Sequence, residues 1–177
     1  MGAELSQNVL NENLNWVISA KVMINSTDNS EVESFFQNVL KDSADITFEN
    51  GSWINIPVFT GFSYFVNLSE NSRLSATIQA GINITRQPYR KAFVDGEVVE
   101  ETTFRFTPDF GFELGVGFEL KRKYSLGIRY INLSAPRYEG TRTLNEAFFT
   151  SIPKRTMNVD GDERPISMVL VYLGYTL

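Results

Sequence analysis

Residues 104–120 read Phe-Arg-Phe-Thr-Pro-Asp-Phe-Gly-Phe-Glu-Leu-Gly-Val-Gly-Phe-Glu-Leu. Every even position is apolar, and every odd position is charged, hydroxylic or glycine. Because successive side chains of a β-strand point to opposite faces, this alternation predicts one long strand with an apolar face and a polar face. Strands of globular proteins usually span about five or six residues. The apolar face of this strand therefore needs a large apolar partner, which is either a protein core or a lipid bilayer.

The composition excludes several classes of function. The chain has 177 residues, which corresponds to one domain, and it contains no Cys and no His. It therefore has no disulfide framework, no Cys-ligated metal and no Ser-His or Cys-His catalysis. A formal net charge of -5 without a basic stripe argues against nucleic-acid binding. No apolar run reaches the ~18 residues of a transmembrane helix. We expect a protein that is not an enzyme and that has no cofactor and no metal site.

The same alternation recurs along the whole chain. On the even positions of the four clearest segments no residue is charged, and two further segments near the amino terminus alternate more loosely. A last alternating segment ends the chain. Together they give seven candidate strands: 1–9, 15–25, 54–68, 73–85, 104–120, 124–130 and 166–177.

The connections between these strands alternate between short and long. Three of them are tight turns, at residues 10–14, 69–72 and 121–123. The other three are long loops, at residues 26–53, 86–103 and 131–165. In an up-and-down barrel, alternate connections lie at opposite ends. Short periplasmic turns and longer extracellular loops are typical of outer-membrane barrels. The sequence thus predicts a single barrel domain over residues 1–177 with three extracellular loops.

Two of the long loops contain hairpin signals. Asp95-Gly96 and Asn50-Gly51 each lie between apolar, strand-forming residues. Both dipeptides favour type I′ turns, so we predict that these loops continue the barrel strands outward as ribbons. A membrane strand needs only about 9–11 residues, so the bilayer part of the long strand is assigned to roughly 110–120. Apolar residues at helical spacing predict a short amphipathic helix over residues 30–40.

The polar face of the predicted strands is rich in glycine and serine. Glycine weakens an exposed strand but suits the tight interior of a narrow barrel, so we predict that the polar face lies inside. The side chains predicted to face lipid are Ile78, Ile82, Phe110, Phe112, Leu114, Val116, Phe118, Leu126 and Ile128. The aromatic residues predicted to form girdles at the bilayer edges are Trp16, Tyr64, Tyr124, Tyr130 and Tyr175.

The predicted lumen carries charges of both signs. They are Arg105, Asp109, Glu113, Glu119 and Arg129, with Lys21 and Glu4 as further candidates. Unpaired buried charge is costly, so these groups are expected to pair and to plug the lumen. Asp109 and Glu113 could also be read as an acid–base pair. A structural role is favoured, because nothing adjacent suggests a substrate or a nucleophile.

With these features the chain resembles the small outer-membrane β-barrel proteins of Gram-negative bacteria, the OmpA-like and porin-like family. The resemblance covers most of the chain from Trp16 onward. It rests on Trp53-Ile-Asn-Ile-Pro-Val, on Ala80-Gly-Ile-Asn-Ile, on Gly111-Phe-Glu-Leu-Gly-Val-Gly-Phe-Glu-Leu with Tyr124-Ser-Leu-Gly-Ile-Arg-Tyr, and on Val171-Tyr-Leu-Gly-Tyr-Thr-Leu177. The last segment resembles the carboxy-terminal strand that the barrel-assembly machinery recognises. That family usually ends in Phe or Trp, whereas this chain ends in Leu177.

The resemblance implies an all-β, antiparallel, eight-stranded transmembrane barrel in the outer membrane, in contact with lipid and lipopolysaccharide. It implies no particular activity, because function does not follow from fold. Single-chain bacterial barrels have even strand numbers, and seven candidates are present. We therefore expect an eighth strand upstream of Met1, preceded by a signal peptide, or a short strand that pairs with the last one.

The sequence thus predicts an outer-membrane barrel with a structural or surface-interaction role, a closed polar lumen and extended extracellular loops. The loops could contact a partner outside the cell, which the sequence does not name. One alternative is a soluble lipocalin-like barrel that binds an apolar ligand. The other is a narrow porin-like channel.

Overall fold

The computed structural model describes residues 1–11, 13–26, 34–35, 45–145, 154–161, 163 and 165–175. This part of the chain forms two antiparallel β-sheets, so the all-β class is confirmed. The first sheet contains β1 (Gly2–Asn11), β2 (Leu14–Lys21), β3 (Met23–Ser26), β5 (Ser52–Ser69), β6 (Ser72–Arg86), β9 (Thr107–Leu120), β10 (Tyr124–Asn132) and β13 (Ser167–Tyr175). The second contains β4 (Ile46–Asn50), β7 (Arg90–Val94), β8 (Glu97–Phe104), β11 (Glu139–Leu144) and β12 (Arg155–Asp160).

The first sheet is built from neighbours in chain order. Its strands follow one another as β1-β2-β5-β6-β9-β10-β13, and β3 continues the line of β2 along β5. These seven positions correspond to the seven strands expected from the alternation. Its three short turns lie side by side, because Phe65 N–H donates to Asn13 O and Lys121 N–H donates to Asn71 O. One end of the sheet, here called the turn end, therefore holds all the short connections, as predicted.

The first sheet is curled around its polar face. Glu4 on β1 lies 2.7 Å from Arg129 on β10, and Lys21 on β2 lies 2.5 Å from Glu113 on β9. These strands are several positions apart in the sheet, so their side chains meet only if the sheet bends. Within the described residues β1 and β13 do not pair, so the closed barrel predicted from the sequence is not found.

The second sheet stands at the opposite end, here called the loop end. Its order is β12-β11-β8-β7-β4. Along the chain, these five strands lie next to β13, β10, β9, β6 and β5 of the first sheet, in that order. The neighbour order of the first sheet is therefore repeated in the second. Long strands thus continue beyond the first sheet into a five-stranded extension.

Of the two hairpin predictions, one is confirmed and one is wrong. Asp95 (φ 51°) and Gly96 (φ 81°) form the turn between β7 and β8. Asn50 and Gly51 do not form a hairpin, because β4 pairs with β7 and not with β5. Gly51 instead carries the chain from one sheet to the other past the ring of Tyr89, where a Cβ would lie 2.6 Å from Cδ1.

The continuous strand predicted over residues 104–120 is also corrected. It is interrupted at Arg105 and Phe106, so Phe104 ends β8 in the second sheet and Thr107 begins β9 in the first. Arg105 N–H donates to Glu139 O over 2.9 Å, which draws this point towards β11. Of the helix predicted over residues 30–40, only residues 34 and 35 are described, so that prediction lies outside the described residues. In the described part no helix is long and apolar enough to cross a membrane.

Candidate functional site

The enclosed face of the first sheet holds a cluster of paired charges, here called the interior charge network: Glu4, Lys21, Glu113 and Arg129. Its centre is Glu113, whose side chain is 0% exposed. Glu113 Oε2 accepts from Lys21 Nζ over 2.5 Å, and its Oε1 accepts from Arg129 Nη1 over 2.6 Å. The odd-numbered residues of β9 point to the enclosed face, and Glu113 is one of them. The buried carboxylate is thus neutralised from two sides.

Arg129 links the carboxylate of Glu113 to that of Glu4 on the edge strand β1. Its Nη1 also donates to Glu4 Oε2 over 2.7 Å, and its guanidinium lies 4.4 Å from the centre of the Tyr172 ring. Gln79, opposite Glu113 on β6, accepts from Ser19 over 2.6 Å. The network therefore contains two carboxylates and two cations, each of which has a partner of opposite charge. A polar network with every member paired is rigid, so it can hold the sheet in its curled form.

A second ion pair lies nearer to the turn end. Arg73 Nη2 donates to both carboxylate oxygens of Glu119, over 2.9 and 3.0 Å. The guanidinium also lies 3.9 Å from the centre of the Phe65 ring, within the range of a cation–π contact. The inward-facing aromatic ring and the ion pair fill this part of the interior.

The interior towards the loop end is filled by apolar side chains. Phe59, Ile131 and Leu133 are buried, and they pack against Met23, Ile166, Met168 and Leu170. Further along, Asn83 Nδ2 donates to Asn55 Oδ1 over 3.2 Å, and the Tyr138 ring meets the Trp53 ring edge to face at 5.6 Å. The described interior thus contains charged, apolar and hydrogen-bonded layers in succession.

Some of the charged residues predicted for the lumen are in interior ion pairs, and others are not. Glu113, Glu119 and Arg129 are in the ion pairs described above, together with Glu4 and Lys21. Asp109 lies on the same face, but its Oδ1 accepts from Phe110 N–H, and no ion pair joins it to another described residue. Arg105 is exposed in the break between β8 and β9 and is outside the interior charge network.

Sequence reasoning missed Arg73 as a member of an interior ion pair. It occupies an odd position in the strand predicted over residues 73–85, which is the polar face, so the alternation could have identified it. What the sequence could not give is its partner, because the register between β6 and β9 places Arg73 opposite Glu119.

The even-numbered apolar side chains of β6, β9 and β10 point away from this interior. Phe112 is half-buried beside the Tyr130 ring, and the others range from 39% exposed at Phe118 to 63% at Val116. All nine residues predicted to face lipid lie on this outer face: Ile78, Ile82, Phe110, Phe112, Leu114, Val116, Phe118, Leu126 and Ile128.

The five predicted girdle residues also lie on the outer face: Trp16, Tyr64, Tyr124, Tyr130 and Tyr175. Tyr124 and Tyr175 are directly opposite on β10 and β13 near the turn end, with ring centres 5.5 Å apart. Tyr130 lies closer to the loop end of β10. The outer face thus carries an aromatic pair beside the short turns.

Two shallow pockets lie in or beside the second sheet among the described residues. One, of about 180 Å³, is lined by residues that include Arg86, Lys91 and Glu101. The other, of about 380 Å³, is lined by residues that include Glu97, Glu101 and Lys154. Both linings mix the two signs of charge, so neither favours a ligand of one charge. The described residues contain no group of His, Asp and Glu able to hold a metal ion.

Comparison with protein-family models, with curated proteins and with solved structures finds no significant match to this chain. Its function is therefore inferred from the geometry described above.

Proposed function

We propose that this protein is an outer-membrane β-barrel protein whose loop-end sheet presents a surface outside the cell. The observation that carries the proposal is the reversed polarity of the curled sheet. Glu113 is fully buried in the interior, whereas its chain neighbour Leu114 points outward and is exposed. A soluble barrel places its apolar side chains inside and its charges in water. A membrane barrel does the opposite.

The extent of the apolar outer face supports a lipid environment. It runs across β5, β6, β9, β10 and β13, and none of the exposed residues of these strands is charged. Monomeric soluble proteins rarely expose continuous apolar patches of more than a few hundred Å². A bilayer would remove this surface from water, and the hydrogen bonds between neighbouring strands satisfy most of the backbone, as a bilayer requires.

The two ends of the sheet support the proposed orientation. The turn end has only short connections, while the loop end carries the five-stranded second sheet. Outer-membrane barrels have short turns in the periplasm and long loops outside. We therefore assign the second sheet to the extracellular side, where its exposed polar strands form the surface available to a partner.

The interior argues against the two alternatives. A lipocalin-like carrier needs an apolar cavity for its ligand, but here charged side chains fill the middle of the enclosed face. A porin-like channel needs a continuous water path. The ion pairs between Lys21, Glu113 and Arg129 cross the interior, and the apolar cluster around Phe59 lies next to them.

The two tryptophans allow a direct test of which face meets lipid. Trp16 lies on the outer face, whereas Trp53 lies on the enclosed side against Tyr138. The Trp53→Phe variant retains only Trp16, and the Trp16→Phe variant retains only Trp53. Each variant is refolded into vesicles of phosphatidylcholine with and without bromine on the acyl chains. We expect bromine to quench Trp16 strongly and Trp53 weakly.

The outcomes of this test are distinct. Equal quenching of both residues would show that the sheet does not separate two environments. Absence of quenching, with a monodisperse protein in water without detergent, would favour the soluble barrel. A planar-bilayer recording of the refolded protein tests the porin-like alternative, because a steady single-channel conductance would support a channel.

A further inference from the structure

We propose that the interior near the loop end contains a binding site for one calcium ion, with Asp109 on β9 and Asn83 on β6 as its protein ligands. The site lies in the hydrogen-bonded layer between the apolar cluster around Phe59 and the second sheet. The inference goes beyond the proposed function, and it holds whichever face of the first sheet meets lipid. It follows from an amide oxygen without a donor and from a carboxylate without a cation, which lie opposite each other.

The amide oxygen of Asn83 is buried without a hydrogen-bond donor. Asn83 is 0% exposed, and no described residue donates to its Oδ1. Nearly all buried side-chain oxygens have a partner, so one without any indicates a bound water or ion. The amide nitrogen Nδ2 donates to Asn55 Oδ1 on β5 over 3.2 Å. Because β6 lies between β5 and β9, the amide oxygen is on the side of β9.

The residue opposite Asn83 on β9 is Asp109. Residues directly opposite on antiparallel strands have Cβ atoms about 4.5–5.5 Å apart, and both of these residues are on the enclosed face. Asp109 Oδ1 accepts from Phe110 N–H over 2.7 Å, and no ion pair joins its carboxylate to another described residue. Glu113 and Glu119, the other carboxylates of β9, each have a cation. The two facing oxygens on β6 and β9 therefore both require a donor or a cation.

Further oxygen atoms lie beside this pair. Thr85 and Thr107 are the next register pair on the same face of β6 and β9. The hydroxyls of Thr85 and Tyr138 share a hydrogen bond of 3.1 Å, and both residues are buried. Burial raises the pKa of the Tyr138 phenol above its ordinary value, and the negative charge of Asp109 adds to this rise. The charge of Asp109 thus acts on the buried layer.

The chemistry of these ligands favours calcium over other cations. The available ligand atoms are carboxylate, amide and hydroxyl oxygens, and the chain has no His or Cys to bind a softer metal. Ca²⁺ accepts about six to eight oxygens in a flexible geometry, whereas Mg²⁺ requires a near-ideal octahedron. With one carboxylate among neutral oxygens, the site is of a different kind from a cluster of acidic residues. We expect weak binding, with a Kd of about 10⁻⁴–10⁻³ M.

The position of the site gives the ion a structural role. Asp109 lies near the start of β9, just after the break at Arg105 and Phe106 where the chain leaves the second sheet. Asn83 lies near the end of β6, which leads into β7 of the second sheet. An ion bound to both residues would hold β6 and β9 together where they meet the second sheet. We therefore expect calcium to stabilise the folded protein.

The Trp16→Phe variant reports on the site, because its remaining tryptophan, Trp53, contacts the Tyr138 ring at 5.6 Å. The variant is refolded in a non-ionic detergent, so that no anionic lipid binds the metal. Terbium replaces calcium at oxygen sites and luminesces when a nearby excited tryptophan transfers energy to it. We expect Tb³⁺ luminescence that Ca²⁺ displaces. We also expect calcium chloride at about ten times the Kd to raise the urea midpoint above its value in sodium chloride of equal ionic strength.

Two substitutions at the site separate binding from folding. Asp109→Asn keeps the shape of the side chain and removes its charge, so we expect it to abolish the effect of calcium on the urea midpoint. Asn83→Asp adds a second carboxylate, so we expect it to tighten Ca²⁺ binding by about tenfold and to lower the midpoint in the presence of a chelator. The matched control is Glu163→Gln, which changes an exposed carboxylate and should leave the calcium response intact.

The possible results have distinct meanings. A calcium response no larger than that of sodium chloride, or one that Asp109→Asn retains, would overturn the proposal and leave a bridging water as the partner of both oxygens. An equal response to Mg²⁺ would overturn the assignment to calcium. Asn83→Asp keeps the proposal falsifiable if Asp109→Asn does not fold, because weaker Ca²⁺ binding in Asn83→Asp would contradict it.

Discussion

Arg129 Nη1 lies 2.6 Å from Glu113 Oε1 inside the curled sheet, although the neighbours of both residues along each strand include exposed apolar side chains. The charge and the apolar surface are therefore separated by a single strand position. This separation is possible only because the period of a strand is two residues. It allows one strand to carry an ion pair on one face and an exposed apolar surface on the other.

The first prediction concerns removal of the buried carboxylate. Glu113→Ala leaves Lys21 and Arg129 buried beside an empty position. Loss of one partner of a buried ion pair typically costs about 3–5 kcal/mol, so we expect the free energy of unfolding in urea to fall by that amount. Tryptophan fluorescence of the refolded protein in detergent measures it.

The matched control is Glu163→Ala. Glu163 pairs with Arg137 over 2.7 Å, but both side chains are exposed, so the loss should be much smaller than that of Glu113→Ala. Similar losses in the two variants would mean that Glu113 is not buried in the refolded protein.

The second prediction concerns a close approach at Gly127. A Cβ at this position would lie 2.5 Å from Val116 O and 2.6 Å from Cε1 of Tyr172. Gly127→Ala must therefore displace the Tyr172 ring, which lies against Arg129. We expect a loss of about 1–3 kcal/mol, measured by the same urea unfolding.

Gly174→Ala provides the comparison for Gly127. The nearest atom to a Cβ there is the hydroxyl of Ser125, which can rotate away. We expect this variant to retain stability close to that of the parent chain. A Gly127→Ala variant as stable as Gly174→Ala would argue against the packing of Tyr172 described here.

The third prediction concerns the turn between β9 and β10. Lys121 (φ 54°) and Arg122 (φ 55°) are both in the left-handed region, which costs a side-chain-bearing residue about 1–2 kcal/mol. Lys121→Gly removes this cost, so we expect it to raise the free energy of unfolding by about 1 kcal/mol.

Lys123 lies in the same turn as Lys121, but its φ angle is not positive. Lys123→Gly adds only the flexibility of glycine to the unfolded chain, and it should lower stability by several tenths of a kcal/mol, or about 1 at most. If both variants shift stability in the same direction, the conformation of this turn differs from the one described.

The fourth prediction concerns Tyr89, which lies in the connection between β6 and β7, outside the long strands. Its hydroxyl donates to Glu49 Oε1 over 2.5 Å, and this bond to a carboxylate raises the pKa of the phenol above its ordinary value. Because the folded pKa is raised, the contribution to stability is fully present below about pH 10 and is lost as the pH rises through the folded pKa.

An ultraviolet titration of tyrosinate tests this. Glu49→Gln should lower the pKa of Tyr89, and Tyr89→Phe should remove one late-titrating component from the curve. The Tyr124→Phe variant changes a tyrosine on another part of the surface and should leave that component in place. A titration that Glu49→Gln does not alter would contradict the hydrogen bond.

Much of the first sheet follows from the sequence alone. Alternation with a period of two determined which residues of each strand share a face, and the short turns determined which strands are neighbours. Asp95-Gly96 identified its hairpin because type I′ geometry needs φ above zero at both central positions. Glu113 and Arg129 were assigned to the polar face for the same reason, since the face of a residue depends only on its position along the strand.

Only the tertiary structure decided which of these residues meet. The pairing of Glu113 with Lys21 and Arg129, and of Glu4 with Arg129, depends on how far the sheet curls, and curvature is a property of all seven long strands together. Asn50-Gly51 is not a hairpin because β7 competes with β5 for β4, a contact remote in sequence. The break at Arg105 has the same cause. A strand that passes from one sheet to another changes its neighbours, and a local pattern of side chains does not encode those neighbours.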